Sequence, residues 1–132
     1  MASSEVKIGH ERVFLALSRE PTIGLHARLV LSNLRAETQV HLSDPALEVS
    51  LVSFFSELAK NWRGWEGTRT WATYERGLTL ACSHDGLGHV GVAVELREYS
   101  GHGWLVRGDV PVDAGQLDQI SRDLVELLRG HS

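Results

Sequence analysis

Leu78-Thr79-Leu80-Ala81-Cys82-Ser83-His84-Asp85-Gly86-Leu87-Gly88-His89-Val90-Gly91-Val92-Ala93-Val94-Glu95-Leu96 is the stretch that decides the fold. Apolar residues alternate with small or polar ones on both sides of an Asp-Gly-Leu-Gly turn, the period-two pattern of a hairpin with one buried face. Two registers compete. Pairing His84 with His89 sets Val92 opposite Ala81 and scatters apolar residues over both faces. Pairing His84 with Val90 aligns Cys82 with Val92, Leu80 with Val94 and Leu78 with Leu96. The second register keeps one face apolar, so the loop runs from Asp85 to His89.

Working outward, Glu75-Arg76-Gly77 reads as a three-residue hairpin loop with glycine in the left-handed position, which pairs Tyr74 with Leu78 and Ala72 with Leu80. Downstream, a loop through Tyr99-Ser100-Gly101-His102-Gly103 aligns Leu96 with Trp104 and Val94 with Val106. Asp113, with Gln116 three residues on, has the spacing of a capping box. The helix it opens carries Leu117, Ile120, Leu124 and Leu128 on its inner stripe and stops at Gly130. Upstream, Asp44-Pro45 reads as an N-cap followed by proline at the first helical position. The helix that follows has the stripe Leu47, Leu51, Phe55, Leu58 and Trp62, with Gly64 as its stop.

The first third of the chain, Val6 to about Leu42, alternates in short runs: Val13, Leu15 and Leu17, then Ala27, Leu29 and Leu31, then Ala36, Thr38, Val40 and Leu42. Pro21 and Gly24 punctuate the first turn. The apolar parity changes from odd to even at Asn33, which suggests a bulge or bend there. The order is strands, helix, four strands, helix, without βαβ alternation. The expected class is α+β: an antiparallel β-sheet of about six strands, meandering in the C-terminal half, with two helices packed on one face.

The chain has 132 residues, 42% of them hydrophobic, which suits one domain over residues 1–132 with a core of its own. A net charge of -4 with both signs dispersed offers no basic stripe, so no nucleic-acid partner is expected. Cys82 is the sole cysteine, which excludes an internal disulfide, and the start Met1-Ala2-Ser3-Ser4-Glu5-Val6-Lys7 has no apolar signal-peptide core. No segment approaches the roughly 20 apolar residues that span a bilayer. The expected setting is the cytoplasm, with no membrane contact.

The same registers place one row of side chains, Trp71, Ala81, Ala93 and Arg107, on the uncovered face of the sheet. Thr73, Thr79, Glu95 and Leu105 flank it on one side, and Arg69, Ser83, Gly91 and Asp109 on the other. An ordinary solvated sheet face is the plain reading. The functional one is a shallow surface with Trp71 as aromatic anchor and Arg69, Arg107 and Glu95 around it. Trp62 and Trp65 bracket Gly64 at the helix exit, Trp62 expected in the core and Trp65 divided between core and surface, with Arg63, Glu66 and Arg69 decorating an exposed corner. His84, Asp85 and His89 are the right residue types for zinc or iron. However, the register turns His84 toward the core side and leaves His89 at the loop end, so neither metal nor cofactor is expected, and His84 is expected to hydrogen-bond to the loop or to the Trp62–Trp65 corner. Ser83 and His84, as strand neighbours, point to opposite faces and make no dyad. Cys82 falls among inward-facing apolar positions, where a thiol is inert.

Phe54-Phe55-Ser56-Glu57-Leu58-Ala59, Trp62-Arg63-Gly64-Trp65-Glu66-Gly67, Trp71, Glu75, His84-Asp85-Gly86-Leu87-Gly88-His89-Val90 and Ala114-Gly115-Gln116-Leu117-Asp118 resemble a family of small, uncharacterised actinobacterial proteins, over roughly Val6 to Leu128. That resemblance implies a bacterial protein and brings no catalytic residue. More loosely, the succession of helix, glycine corner, acidic strand, Asp-x-x-Gly-His turn and strands is similar to small immunity proteins that neutralise bacterial toxins. The expected function is therefore a non-catalytic cytosolic binding protein, immunity-like in the looser resemblance, whose partner is another protein, a toxin among the choices, or a second copy of itself. Its candidate residues are Trp71, Arg69, Arg107, Glu95, Trp65, His84, Asp85 and His89. The alternative is a metal-dependent or small-ligand enzyme using the His84/Asp85/His89 turn.

Overall fold

The computed structural model describes residues 5–20, 24–42, 45–98 and 103–129. Four strands come first, β1 (Glu5–Gly9), β2 (Val13–Glu20), β3 (Gly24–Leu31) and β4 (Leu34–His41), followed by helix α1 (Pro45–Lys60). Four more follow, β5 (Arg69–Ala72), β6 (Leu78–His84), β7 (His89–Arg97) and β8 (Leu105–Asp113), and then a 3₁₀ turn (Ala114–Gln116) that runs into α2 (Leu117–Arg129). The class is α+β, but the single sheet of about six strands is corrected to two antiparallel meanders of four strands each, β1-β2-β3-β4 and β5-β6-β7-β8.

The physical reason for two sheets is that each half of the chain presents its own apolar face. Val6, Ile8, Leu15, Leu17, Leu25, Leu29 and Val40 are buried in the first sheet, and Leu78, Leu80, Cys82, Val90, Val92, Val94, Leu96, Val110 and Val112 in the second. Facing the two sheets buries both sets at once. β8 lies against β1 and β2, and β7 against β3 and β4. The approach is close enough that a Cβ on Gly108 would overlap the Leu31 methyl groups. α2 packs on α1 and along β1 and β2, burying Leu117, Ile120, Leu124, Leu127 and Leu128. Arg19 reaches this helix from β2, and its Nη1 donates to the carbonyl of Leu128 at 3.0 Å, a cation placed at the negative end of the helix dipole.

The decisive hairpin has the expected register: His84 pairs with Val90, Cys82 with Val92, Leu80 with Val94 and Leu78 with Leu96. The parity change at Asn33 is a two-residue hairpin turn, with Leu31 paired to Leu34 and Ser32 at φ 56°. A bulge and a two-residue turn shift parity alike, which is why the sequence did not separate them. α1 begins at Pro45 and buries Leu47, Leu51, Phe55 and Leu58. Before α2, the Asp113 N–H donates to Gln116 Oε1 at 2.9 Å, as the capping spacing required. The expected features at Pro21, Asp44, Tyr99 to His102 and Gly130 lie outside the described residues.

Two registers are corrected. β7 and β8 pair Leu96 with Val106 and Val94 with Gly108, two residues from the expected alignment. Parity survives, so the faces are right, and the shift brings Gly108, which has no side chain, to the point where Leu31 presses on the sheet. Between β5 and β6 the shift is one residue: Trp71 pairs with Leu80 and Ala72 with Thr79. The connecting loop is longer than expected because Thr73 closes it with its side chain. Thr73 Oγ1 accepts the N–H groups of Gly77 at 3.0 Å and Leu78 at 3.4 Å, and Arg76, not Gly77, takes the left-handed conformation at φ 59°. One extra residue in a loop turns every side chain of a strand over. Trp71 therefore enters the core, 8% exposed, with its Nε1 donating to Ser50 Oγ of α1 at 2.9 Å.

Candidate binding surface

α1 stops at Lys60, and the next residues wind differently. Asn61 donates from its N–H to Leu58 O at 3.1 Å and from Nδ2 to Glu57 O at 2.8 Å. Trp62 N–H bonds to Ala59 O at 3.3 Å, and Gly64 N–H to Asn61 O at 2.8 Å. The Asn61 N–H is shared between Leu58 O and, four residues back, Glu57 O at 3.2 Å, while from Trp62 on the bonds reach only three residues back, so the α-helical phase is lost at Trp62. Gly64, at φ 144°, carries the chain away through a conformation unfavourable to other residues. The expected core position of Trp62 is therefore corrected. Trp62 is 50% exposed, with the Arg63 guanidinium 5.2 Å from its ring centre.

Trp65 turns back toward the sheet. Its Nε1 donates to Cys82 O at 3.1 Å, its ring meets the edge of the His84 ring at 5.1 Å, and the Arg69 guanidinium lies over it at 5.5 Å. His84 joins this corner to the β6–β7 loop. Its Nδ1 accepts the Gly86 N–H at 2.8 Å, and its Nε2 lies 2.8 Å from Trp62 O. A backbone N–H can only donate and a carbonyl can only accept, so Nε2 carries the proton and both ring nitrogens are engaged.

Asp85 fixes the loop itself. Its Oδ1 accepts the N–H groups of Leu87 at 2.6 Å and His89 at 3.1 Å, and its Oδ2 meets His89 Nδ1 at 2.7 Å. The Leu87 N–H foremost, then the His89 side chain and N–H, hold the carboxyl down at about 2. The Asp85 N–H closes the loop on His89 O at 3.1 Å, and the Gly88 carbonyl accepts the Ala114 N–H at 2.8 Å. The loop is thus tied to the helix exit on one side and to the start of α2 on the other. At its tip Leu87 is 80% exposed.

For metal chemistry this arrangement is unsuited. His84 faces the Trp62 corner, while Asp85 and His89 satisfy each other and the loop backbone. Among the described residues no group of three or more His, Cys, Asp or Glu could hold an ion. A shallow depression of about 350 Å³ beside the loop is lined by Ser83, His89, Asp109 and Pro111 among others. The Cys82 thiol faces the core, where burial pushes it up to about 12.

The expected aromatic anchor on the outer sheet face is not there. Trp71 is in the core, and Arg69, opposite Cys82, shares its inward parity at the end of the sheet. Glu95 and Arg107 do lie opposite each other on the outer face, with Arg107 Nη2 and Nε at 2.8 and 3.2 Å from Glu95 Oε2. Trp65, Arg69, His84, Asp85 and His89 instead gather at one end of the second sheet. Sequence reasoning put Arg63 on an exposed corner, but it missed Trp62 and Leu87 as surface members of that cluster. Asn61 was the available signal, because asparagine commonly ends a helix and stands three residues before Gly64.

Among the described residues no helix is long and apolar enough to cross a membrane. Among curated proteins the chain has no match. A family model, described as a family of unknown function (DUF6228), matches residues 9–131, and the chain belongs to that family.

Proposed function

We propose that the protein is a binding protein without catalytic activity, which engages a protein partner through the end of the molecule built from the Trp62–Trp65 corner and the Asp85–His89 loop. One observation carries the reading. Trp62 is 50% exposed and Leu87 80% exposed, on backbone that is bonded in place through His84, Asp85 and Gly88. Large apolar side chains held in water on an ordered frame are poor for the free protein and good for a complex, because the ordering cost of association is largely met in advance. Tryptophan and arginine are the types most enriched among residues that dominate binding energy.

The finer reading is a bacterial cytoplasmic protein of immunity type whose partner is a toxin. It rests on the resemblance of the helix, glycine corner and Asp-x-x-Gly-His turn to such proteins. The enzyme alternative, with metal or small ligand at the His84/Asp85/His89 turn, is disfavoured because the three side chains are spent on one another and on the backbone. Self-association is the remaining form of the binding reading.

The test is a comparison of the native chain with a Trp62→Ser/Leu87→Ser double variant as baits in the source cell, followed by reconstitution with whatever purified protein is recovered. The expected result is a stoichiometric complex with the native chain that the double variant does not form. Identical recovery by both would sink the proposal. Light scattering of the chain alone, giving a dimer that the double variant dissociates, would identify the partner as a second copy.

A further inference from the structure

Two arginines at the helix-exit corner differ in their surroundings from most others. Arg19, Arg28, Arg35, Arg97, Arg107 and Arg122 each meet a carboxylate. Among the described residues no ion pair reaches Arg63 or Arg69. Each lies instead over an indole, Arg63 over Trp62 at 5.2 Å and Arg69 over Trp65 at 5.5 Å. A guanidinium on an aromatic face uses its own flat face for that contact, and its five N–H donors, all in the guanidinium plane, stay available for a carboxylate.

The two tryptophans are joined at one corner by a single side chain. His84 donates from Nε2 to the Trp62 carbonyl at 2.8 Å, and its ring meets Trp65 at 5.1 Å. Gly64 lies beside the same imidazole, where a Cβ would stand in ordinary contact 3.6 Å from Nδ1. The backbone under Trp62 and the Trp65 ring are thereby fixed before any partner arrives, which reduces the ordering cost of binding.

We infer that this corner receives an acidic segment of the protein partner, with carboxylates on the Arg63 and Arg69 forks and an apolar side chain against Trp62. The inference rests on the binding reading above and names the chemistry of what binds. Charge decides between a short acidic segment and a nucleic acid. The chain carries -4 overall, Glu66 lies within the corner's own sequence, and Asp118 lines the groove beside Trp62. A short segment can set two carboxylates on the two forks alone, whereas a continuous phosphate backbone would extend onto surface of its own sign.

The probe is hexaglutamate, read by the NMR resonances of the Trp62 and Trp65 indole N–H groups, with hexaglutamine and hexathymidylate as controls. At about 0.02 M salt hexaglutamate should shift both resonances saturably and hexaglutamine should not, and the response should fade toward about 0.5 M salt. An Arg63→Gln/Arg69→Gln variant should bind roughly fivefold more weakly or worse. The corresponding double lysine variant, which keeps charge without the planar fork, should fall between it and the native chain. Thermal melts check that the variants remain folded. Equal shifts with hexaglutamine, unchanged affinity in the glutamine variant, or tighter binding of hexathymidylate would each overturn the inference. A Trp62-dependent partner that still binds the glutamine variant would end the inference and leave the binding reading intact. Hexaglutamate binding as described, with no Trp62-dependent partner recovered, would support the acidic preference and end the binding reading.

Discussion

The Trp62–Trp65 corner and the Thr73–Leu78 turn both end a regular element beside a tryptophan, yet they place those tryptophans in opposite settings. At the turn, Trp71 is 8% exposed and its indole N–H is bonded to Ser50. At the corner, Trp62 is 50% exposed, with an arginine over its ring and its hydrogen bonds made from the backbone alone. Neither outcome follows from the residue type. Each follows from where the preceding or following element loses its phase: α1 stops two residues before Trp62, and one added residue in the β5–β6 loop rotates Trp71 inward. The chain's order thus puts one indole where it supports the fold and leaves the other where a partner can reach it.

The sharpest way to break this comparison is to empty the buried site. Trp71→Ala should cost about 3–5 kcal/mol, the range for removing a large aromatic from a core, seen as a lower urea midpoint at unchanged slope. A loss of less than about 1 kcal/mol would mean that the β5 register is wrong and that Trp71 faces water.

The device that sets that register can be removed on its own. Thr73 is 4% exposed, and its hydroxyl oxygen serves the N–H groups of Gly77 and Leu78. Thr73→Val keeps the volume and removes the acceptor. The expected loss is about 1–3 kcal/mol, the cost of leaving a buried donor unmet, while Thr73→Ser should retain most of the stability. If valine and serine behave alike in urea melts, the side-chain closure of the turn is not what holds the strand in register.

These two sites also show what the sequence could and could not reveal. The β6–β7 register was legible because alternation runs unbroken from Leu78 to Leu96, and only one alignment keeps it on a single face. Both helices were legible from stripes of leucine, and the second also from the Asp113–Gln116 capping spacing. β5 was not, since Arg69–Ala72 is four residues of mixed polarity, and its facing depended on a bond from one threonine to the backbone. Trp62 was misread by carrying the Leu51, Phe55 and Leu58 spacing one step beyond the helix. The division into two sheets was hidden for a different reason: periodicity reports which residues are buried, not what they are buried against. Of the candidate site, the loop around Asp85 and the Trp65 corner were legible as local turn chemistry. Their junction through His84 was expected as a hydrogen bond to the loop or to the corner, and the imidazole makes both.

The loop half of the surface has its own pH signature. Asp85 is lowered from its ordinary 3.8 to about 2 by the Leu87 N–H and by His89. A depressed carboxyl contributes its stabilisation in full above about pH 4 and loses it as pH falls through about 2. The Leu87 amide should therefore titrate with a midpoint near 2 by NMR, and Asp85→Asn should abolish that transition. A midpoint near 4 would show that the loop bonds are not kept in solution, leaving Leu87 on a frame too loose to serve as a prepared contact.

The smallest stability effect belongs to Trp62, and it is the one that separates folding from function. Half of the side chain is already in water. The His84 bond is to its backbone carbonyl, which alanine retains. What Trp62→Ala removes is the stacking of Arg63 and the partial cover of Ala59 and Ala114 in the adjoining groove. An exposed cation–π contact contributes about 0.5–1 kcal/mol, so the melt should shift by about 1 kcal/mol or less. Binding should suffer far more, because an aromatic anchor at the centre of an interface costs about 2 kcal/mol or more when truncated. A loss of stability equal to that of Trp71→Ala would place Trp62 in the core and end its candidacy. A negligible change in both stability and partner affinity would move the contact surface to Leu87 and the loop alone.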